Sequence, residues 1–197
     1  LAGYSVITFS RNLDWKDRVT LFSHDISSVE NSAQAHNLLG LHLFFASNTE
    51  PDVAKMNELR EKALLHFNRA VEIYPQFLNA AYDRGRLLES MGRYSQALES
   101  YLVATKIDSN FKTPYFSMGV IYQNQKKNAE AAACYEKFLE KYPQQMQAYT
   151  NLSFVYFNLQ RFDLSIATNH RALAASPGAF DPTVNIAITY KHIGVLD

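Results

Sequence analysis

The side chains able to do chemistry are few and scattered. Six histidines (His24, His36, His42, His66, His170 and His192) show no HExxH pattern, and His36 and His42, six apart, fall on different faces of a helix. A zinc centre needs three or four ligands converging on one point. The single cysteine, Cys134, excludes a Cys-rich metal site and any disulfide within the chain. It stands beside Ala131–Ala133, a setting that points to packing rather than nucleophilic work. The acidic pairs Glu58/Glu61 and Glu136/Glu140 have the i,i+3 and i,i+4 spacing of solvated helix faces. General acid–base catalysis would need such a pair in a pocket. There is no GxGxxG or GxxxxGK[ST] to cradle phosphate and no GxSxG nucleophile elbow. The expectation is therefore a chain without catalytic residues, bound metal or cofactor.

Composition narrows the remaining choices. Formal net charge is zero, with 19 basic and 19 acidic residues mixed along 197 positions. With no basic block or stripe to meet a phosphate backbone, nucleic acid is excluded as a partner. Hydrophobic residues make up 47%, enough to bury a core or build a repeat array. No 18 apolar residues run together, so no complete transmembrane helix is expected within the chain.

What would position a binding surface is a repeat. The stretches "LNAAYDRGRLLESMGRYSQALESYLVATKIDSNF" (78–111), "KTPYFSMGVIYQNQKKNAEAAACYEKFLEKYPQQ" (112–145) and "MQAYTNLSFVYFNLQRFDLSIATNHRALAASPGA" (146–179) align without a gap. Gly85, Gly119 and Ser153 coincide, as do Ala97, Ala131 and Ser165, and Tyr101 and Tyr135. Glycine inside a helix costs about 1 kcal/mol relative to alanine. A recurring one implies close approach: a bare spot on a first helix receives the small residue of the second, and aromatics fill the wedge between the paired helices. Pro143 and Pro177 stop the second helices, and "ESMGRYSQA" and "QNQKKNAEA" are the polar turns joining each pair. Residues 33–77 form a fourth unit, with Gly40 at the small site and Ala63, Phe67, Ala70 and Pro75 in the second helix. It carries an 11-residue insertion, since Gly40 to Ala63 spans 23 positions and Gly85 to Ala97 spans 12. The insert reads as a lengthened second helix with Thr49 as N-cap and Pro51 in its first turn. Residues 180–197 supply the first helix of a further unit.

This pattern resembles the tetratricopeptide repeat family over about 33–197, which implies an all-α, right-handed superhelix (an α-solenoid) of helix hairpins. Three positions depart from it: Arg84 stands for an apolar core residue and is offered to the groove, Phe138 for a small one, and Asn169 for the second-helix aromatic. Those copies are expected to pack less regularly. The resemblance implies a concave groove lined by the first helices, binding protein or peptide. Its expected lining is Asn37 and Phe44 in the first unit, then Asn79, Tyr82 and Arg86 in the second. Phe116, Val120, Gln123 and Asn124 follow in the third. Thr150, Phe154, Phe157 and Asn158 line the fourth, and Lys191, with Ile188, the last. Side-chain amides can bond a peptide backbone, and rings can anchor its apolar side chains. The basic carboxylate clamp of some tetratricopeptide domains has no counterpart at Asn37, Leu41, Asp83, Thr113 and Ser117, which counts against chaperone-tail recognition. An asparagine ladder like that of O-linked glycosyltransferase repeats is partial, with Asn151 and Asn185 matching. Asn151-Leu152-Ser153 has the form of a glycosylation acceptor, but Ser153 holds the small packing site, so Asn151 is expected to be unmodified.

Residues 1–32 form an N-terminal segment before the repeats, where Trp15, Val19, Phe22 and Ile26 recur at helical spacing. Leu1–Phe9 reads either as a capping helix or as the end of a membrane helix. "SRNLDWKDRVTLFSHDI" is similar to the junction after the last membrane helix in the transmembrane and tetratricopeptide-repeat-containing family, through Asn12, Asp14, Trp15, Leu21 and Phe22. That resemblance implies an upstream glycosyltransferase-like membrane domain, with the repeats as its extracytoplasmic, substrate-recruiting tail. The residues alone fix no compartment, and a free co-chaperone or scaffold stays open beside the leading reading, a non-enzymatic binding scaffold. Apolar residues among Ile186, Ile188 and Tyr190 are expected to be exposed or covered by a second copy of the chain.

Overall fold

The computed structural model describes residues 31–195. The expectations for Leu1–Phe9 and for the helical face of Trp15–Ile26 lie outside them. Among the described residues there are nine helices and no strand: α1 Ala33–Thr49, α2 Val53–Ile73, α3 Leu78–Ser90, α4 Tyr94–Ile107, α5 Thr113–Asn124, α6 Asn128–Leu139, α7 Met146–Asn158, α8 Phe162–Ala175 and α9 Phe180–His192. Consecutive helices pair as hairpins, α1 with α2, α3 with α4, α5 with α6 and α7 with α8. Two compact units divide the chain after Asp108.

In the first unit, α1 and α2 enclose Leu39, Leu43, Phe44, Ala63 and Phe67, and Leu87 of α3 joins them. The insertion lengthens both helices of its hairpin. Relative to α3 and α4, four of the eleven extra residues extend α1 past Gly40 and seven precede Ala63 in α2. The N-cap of α2 is Asp52, whose carboxylate accepts from the Ala54 and Lys55 amides at 2.8 and 3.3 Å. Thr49 is instead the last residue of α1, its hydroxyl donating to the Ala46 carbonyl at 3.1 Å. Arg84 turns away from the first-helix face. Its Nε donates to Ser100 Oγ of α4 at 3.0 Å, beside Glu99, because a half-buried guanidinium needs an acceptor and α4 supplies one.

In the second unit, Tyr135, Phe138, Tyr149, Leu152, Val155 and Ala172 form the centre of a single core. Phe138, large at a small site, is accommodated between Phe116 and Tyr142, at centroid distances of 5.2 and 4.8 Å. Arg171 of α8 grips Glu136 of α6 through both carboxylate oxygens, at 2.9 and 3.0 Å, and lies 5.5 Å over the Tyr149 ring.

The glycines at the small site show why each hairpin closes. A Cβ on Gly40 would stand 2.8 Å from Phe67, and on Gly85 or Gly119 it would stand 2.6 Å from the rings of Tyr101 or Tyr135. The turns repeat as faithfully. Gly92, Lys126, Gln160 and Gly194, each 34 residues from the last, all have φ between 58° and 73°. Each closes a Schellman motif, for example Arg93 N–H to Leu88 O at 2.9 Å and Lys127 N–H to Tyr122 O at 2.9 Å.

Candidate functional site

The first-helix residues fall into two sets when taken unit by unit. In the first unit Asn37 and Phe44 are interior residues, each 5% exposed, rather than groove surface. They lie behind a layer built on Arg86, whose guanidinium sits 5.8 Å over Phe44 and 5.9 Å over Tyr82 and reaches Asp83 Oδ1 at 3.5 Å. Burial raises the Asp83 carboxyl above its ordinary value, against the opposing pull of Arg86 and of an Asn37 amide hydrogen bond. Tyr82 leans on Tyr101 at 5.9 Å, and Asn79 is exposed. This face therefore sets the Phe44 and Tyr82 rings against Arg86, which reaches the buried Asp83 carboxylate.

The second unit is more open. Phe116 is braced by Tyr135 and Phe138, at 5.9 and 5.2 Å, and Val120 packs against the core, so both serve packing first. Asn124, Asn158 and Lys191 are exposed, and Phe154 is 53% exposed. Gln123 accepts from the Tyr135 hydroxyl at 2.7 Å, and Asn151 Nδ2 donates to that same hydroxyl at 3.2 Å. Ile188 of α9 is 53% exposed, while Ile186 and Tyr190 are half-buried.

Between α7, α8 and α9 lies a cavity of about 390 Å³. Phe154, Phe157 and Ile188 make its apolar walls, and Gln123, Thr150, Asn151 and Asn185 contribute amides and a hydroxyl. Ser153, Ser165 and Thr189 complete the lining, which contains no ionisable side chain. The size falls within the roughly 300–1,000 Å³ usual for ligand pockets. Of the expected groove residues, the structure brings Gln123, Thr150, Phe154 and Phe157 together here, with Ile188. Sequence reading did not select Ser153, Ser165, Asn169 or Thr189, although two signals were in view: Ser153 at the glycine site and Asn169 at the aromatic site. Asn169 is 1% exposed; its Nδ2 donates to the Ser165 carbonyl at 3.0 Å, and its Oδ1 is buried with no hydrogen-bond partner.

No helix among the described residues is long and apolar enough to cross a membrane, and no three His, Cys, Asp or Glu among them gather as for a metal ion. His36 and His66 face each other through their Nδ1 atoms at 2.9 Å.

Known proteins give the same architecture. The chain is 24% identical over 205 residues to Protein O-mannosyl-transferase TMTC3 of Homo sapiens, covering 96% of this chain and 21% of that protein. It is 25% identical over 177 residues to Protein O-mannosyl-transferase Tmtc3 of Drosophila melanogaster, covering 82% and 18%. The chain thus spans about a fifth of the length of these curated relatives. Among solved structures, MamA superposes with a TM-score of 0.70 at 16% identity, over 83% of this chain and 84% of that one. YrrB, described as a TPR protein with an unusual peptide-binding site, does so with a TM-score of 0.70 at 17% identity, over 88% and 84%. Family models described as TPR repeat and Tetratricopeptide repeat match residues 85–126 and 116–180. With the hairpins, the glycine–ring contacts and the 34-residue turns, these matches identify residues 85–180 as tetratricopeptide repeats.

Proposed function

We propose that the chain is a non-enzymatic peptide- or protein-binding module whose first helices carry the binding surface. The observation that carries this reading is the uncharged cavity in the second unit, where exposed rings stand beside side-chain amides. Rings anchor apolar side chains of a bound segment, and Asn and Gln amides can satisfy its backbone N–H and C=O groups. YrrB, with the same fold, supports the reading through its described peptide-binding site. Exposed Phe154 is the residue to test, since its truncation leaves the core alone. A peptide selected from a displayed library against this chain should bind the Phe154→Ala variant at least tenfold more weakly by calorimetry. Unchanged affinity would remove this surface from the binding site.

A second reading adds to the first. The similarity to protein O-mannosyl-transferases extends over 96% of the chain and supports a role as the substrate-recruiting part of a longer membrane protein. In that setting the bound segment belongs to an acceptor protein, and catalysis resides elsewhere in the polypeptide. Carbonate extraction of native membranes, probed with an antibody to this chain, tests it. Release of the antigen into the soluble fraction at about 22.4 kDa would overturn it.

A further inference from the structure

We infer that the cavity of the second unit takes a neutral tyrosine side chain presented by the bound partner, in the place where the repeat's own tyrosine is missing. The inference rests on the peptide-binding reading above and names what that site selects.

The argument begins with the small site. In three hairpins a glycine of the first helix is covered by a ring of the second: Gly40 by Phe67, Gly85 by Tyr101 and Gly119 by Tyr135. In α7 and α8 both partners differ together, as Ser153 and Asn169. Gly119, Gln123 and Asn151 surround the Tyr135 ring, and their counterparts 34 residues on, Ser153, Phe157 and Asn185, all line the 390 Å³ cavity, with Asn169 recessed behind that lining. Of the two partners of the Tyr135 hydroxyl, the acceptor Gln123 has Phe157 as its counterpart one repeat on, and the donor Asn151 has a counterpart of the same type. In the preceding hairpin the Tyr135 hydroxyl accepts from Asn151 of the following first helix at 3.2 Å. The residue 34 positions after Asn151 is Asn185 of α9, and Asn185 lines the cavity. A phenol entering there would meet the same donor that its counterpart meets one repeat earlier. Burying a hydroxyl is favourable only with such a partner. With no ionisable side chain in the lining, a charged group would be desolvated without a counter-charge, so phosphotyrosine and acidic side chains are excluded.

The probe is p-cresol, the tyrosine side chain without its backbone, titrated into the full chain and followed by amide chemical shifts. Saturable shifts centred on Ser153, Phe157 and Thr189 are expected. Toluene should bind about three- to tenfold more weakly, the worth of one hydrogen bond. p-Cresyl phosphate should bind at least tenfold more weakly than p-cresol. The paired variant S153G/N169Y rebuilds the ring inside the chain and should abolish p-cresol binding. Should it not fold, the half-exposed Asn185→Leu leaves the walls intact and should erase the preference for p-cresol over toluene. Absence of saturable shifts overturns the inference, as does equal binding of p-cresol and toluene or an undiminished preference in Asn185→Leu. A selected peptide that needs Phe154 yet is not displaced by p-cresol would overturn this assignment alone and leave the peptide-binding reading standing. Selection of no peptide that depends on Phe154 would instead strike at that reading.

Discussion

The contact between one glycine and one ring sets the packing of three of the four hairpins. Tyr101 is fully buried and cannot swing aside, and a Cβ on Gly85 would stand 2.6 Å from its Cε1. Its hydroxyl is also held, donating to Glu89 Oε2 at 2.6 Å. Gly85→Ala gains about 1 kcal/mol of helix propensity but overpacks a closed contact, typically at a cost of about 1–3 kcal/mol. A net loss of about 1 kcal/mol is expected in urea unfolding, and an equal or higher midpoint would show that the ring relocates freely. Residue types marked the glycines as contact points, because a glycine that recurs inside a helix is a standing cost. The partner differs from the small residue expected there: the ring four residues further along the second helix takes the space. Arg84 was not legible in the same way. Its side chain is long enough to reach either face, and the Ser100 hydroxyl across the hairpin decided between them. Phe44 was misplaced for a related reason: spacing along α1 put it on the groove face, but Arg86 of α3 closes over it.

At the scale of the elements, the turns are where the sequence leaves stability unclaimed. Lys126 and Gln160 occupy the left-handed position that Gly92 and Gly194 fill in equivalent turns, at φ of 59° and 58°. A side chain there costs roughly 1–2 kcal/mol, part of which glycine gives back through a freer unfolded chain. Lys126→Gly and Gln160→Gly should each raise stability by about 0.5–1 kcal/mol in thermal or urea melts, and a loss at either turn would contradict the capping geometry. Helix ends were legible wherever proline or a polar turn marks them. They were not at α2, where Thr49 and Asp52 both had the chemistry of an N-cap. The choice fell to Asp52 because α1 continues through Thr49, driven by apolar residues that extend past Gly40.

For the molecule as a whole, the family fold was legible because four copies keep one register, whereas the cavity was legible only as a pair of anomalies at 153 and 169. Volume is not written in any one residue; it emerges from how side chains of several helices pack, here those of α5, α7, α8 and α9. Cooperative stability also carries a signature of the alkaline range. Burial pushes the Cys134 thiol up to about 11 and the Tyr135 phenol up to about 12. The unfolded chain therefore loses these protons first, so the stability they contribute is full below about pH 9 and is lost as pH rises through about 11–12. Urea midpoints should hold level to pH 9 and then fall, and Cys134→Ala should soften the decline. A midpoint that rises above pH 9 would reverse the sign and refute the burial argument.

The glycine–ring contact also separates the routes by which one kind of hairpin can change into the other. Between a Gly/Tyr pair, as at 119 and 135, and the Ser/Asn pair at 153 and 169 lie two single-step intermediates. Serine facing a retained tyrosine would force atoms to within about the 2.6 Å found for a Cβ on Gly119. Glycine facing asparagine leaves only empty space, which a small bound molecule can occupy. The first costs about 1–3 kcal/mol as an overpacked contact and the second about 3–5 kcal/mol as a lost buried ring, so the crowded route is the cheaper in stability. Only the open route creates binding space before both residues have changed, so stability and binding capacity favour opposite orders.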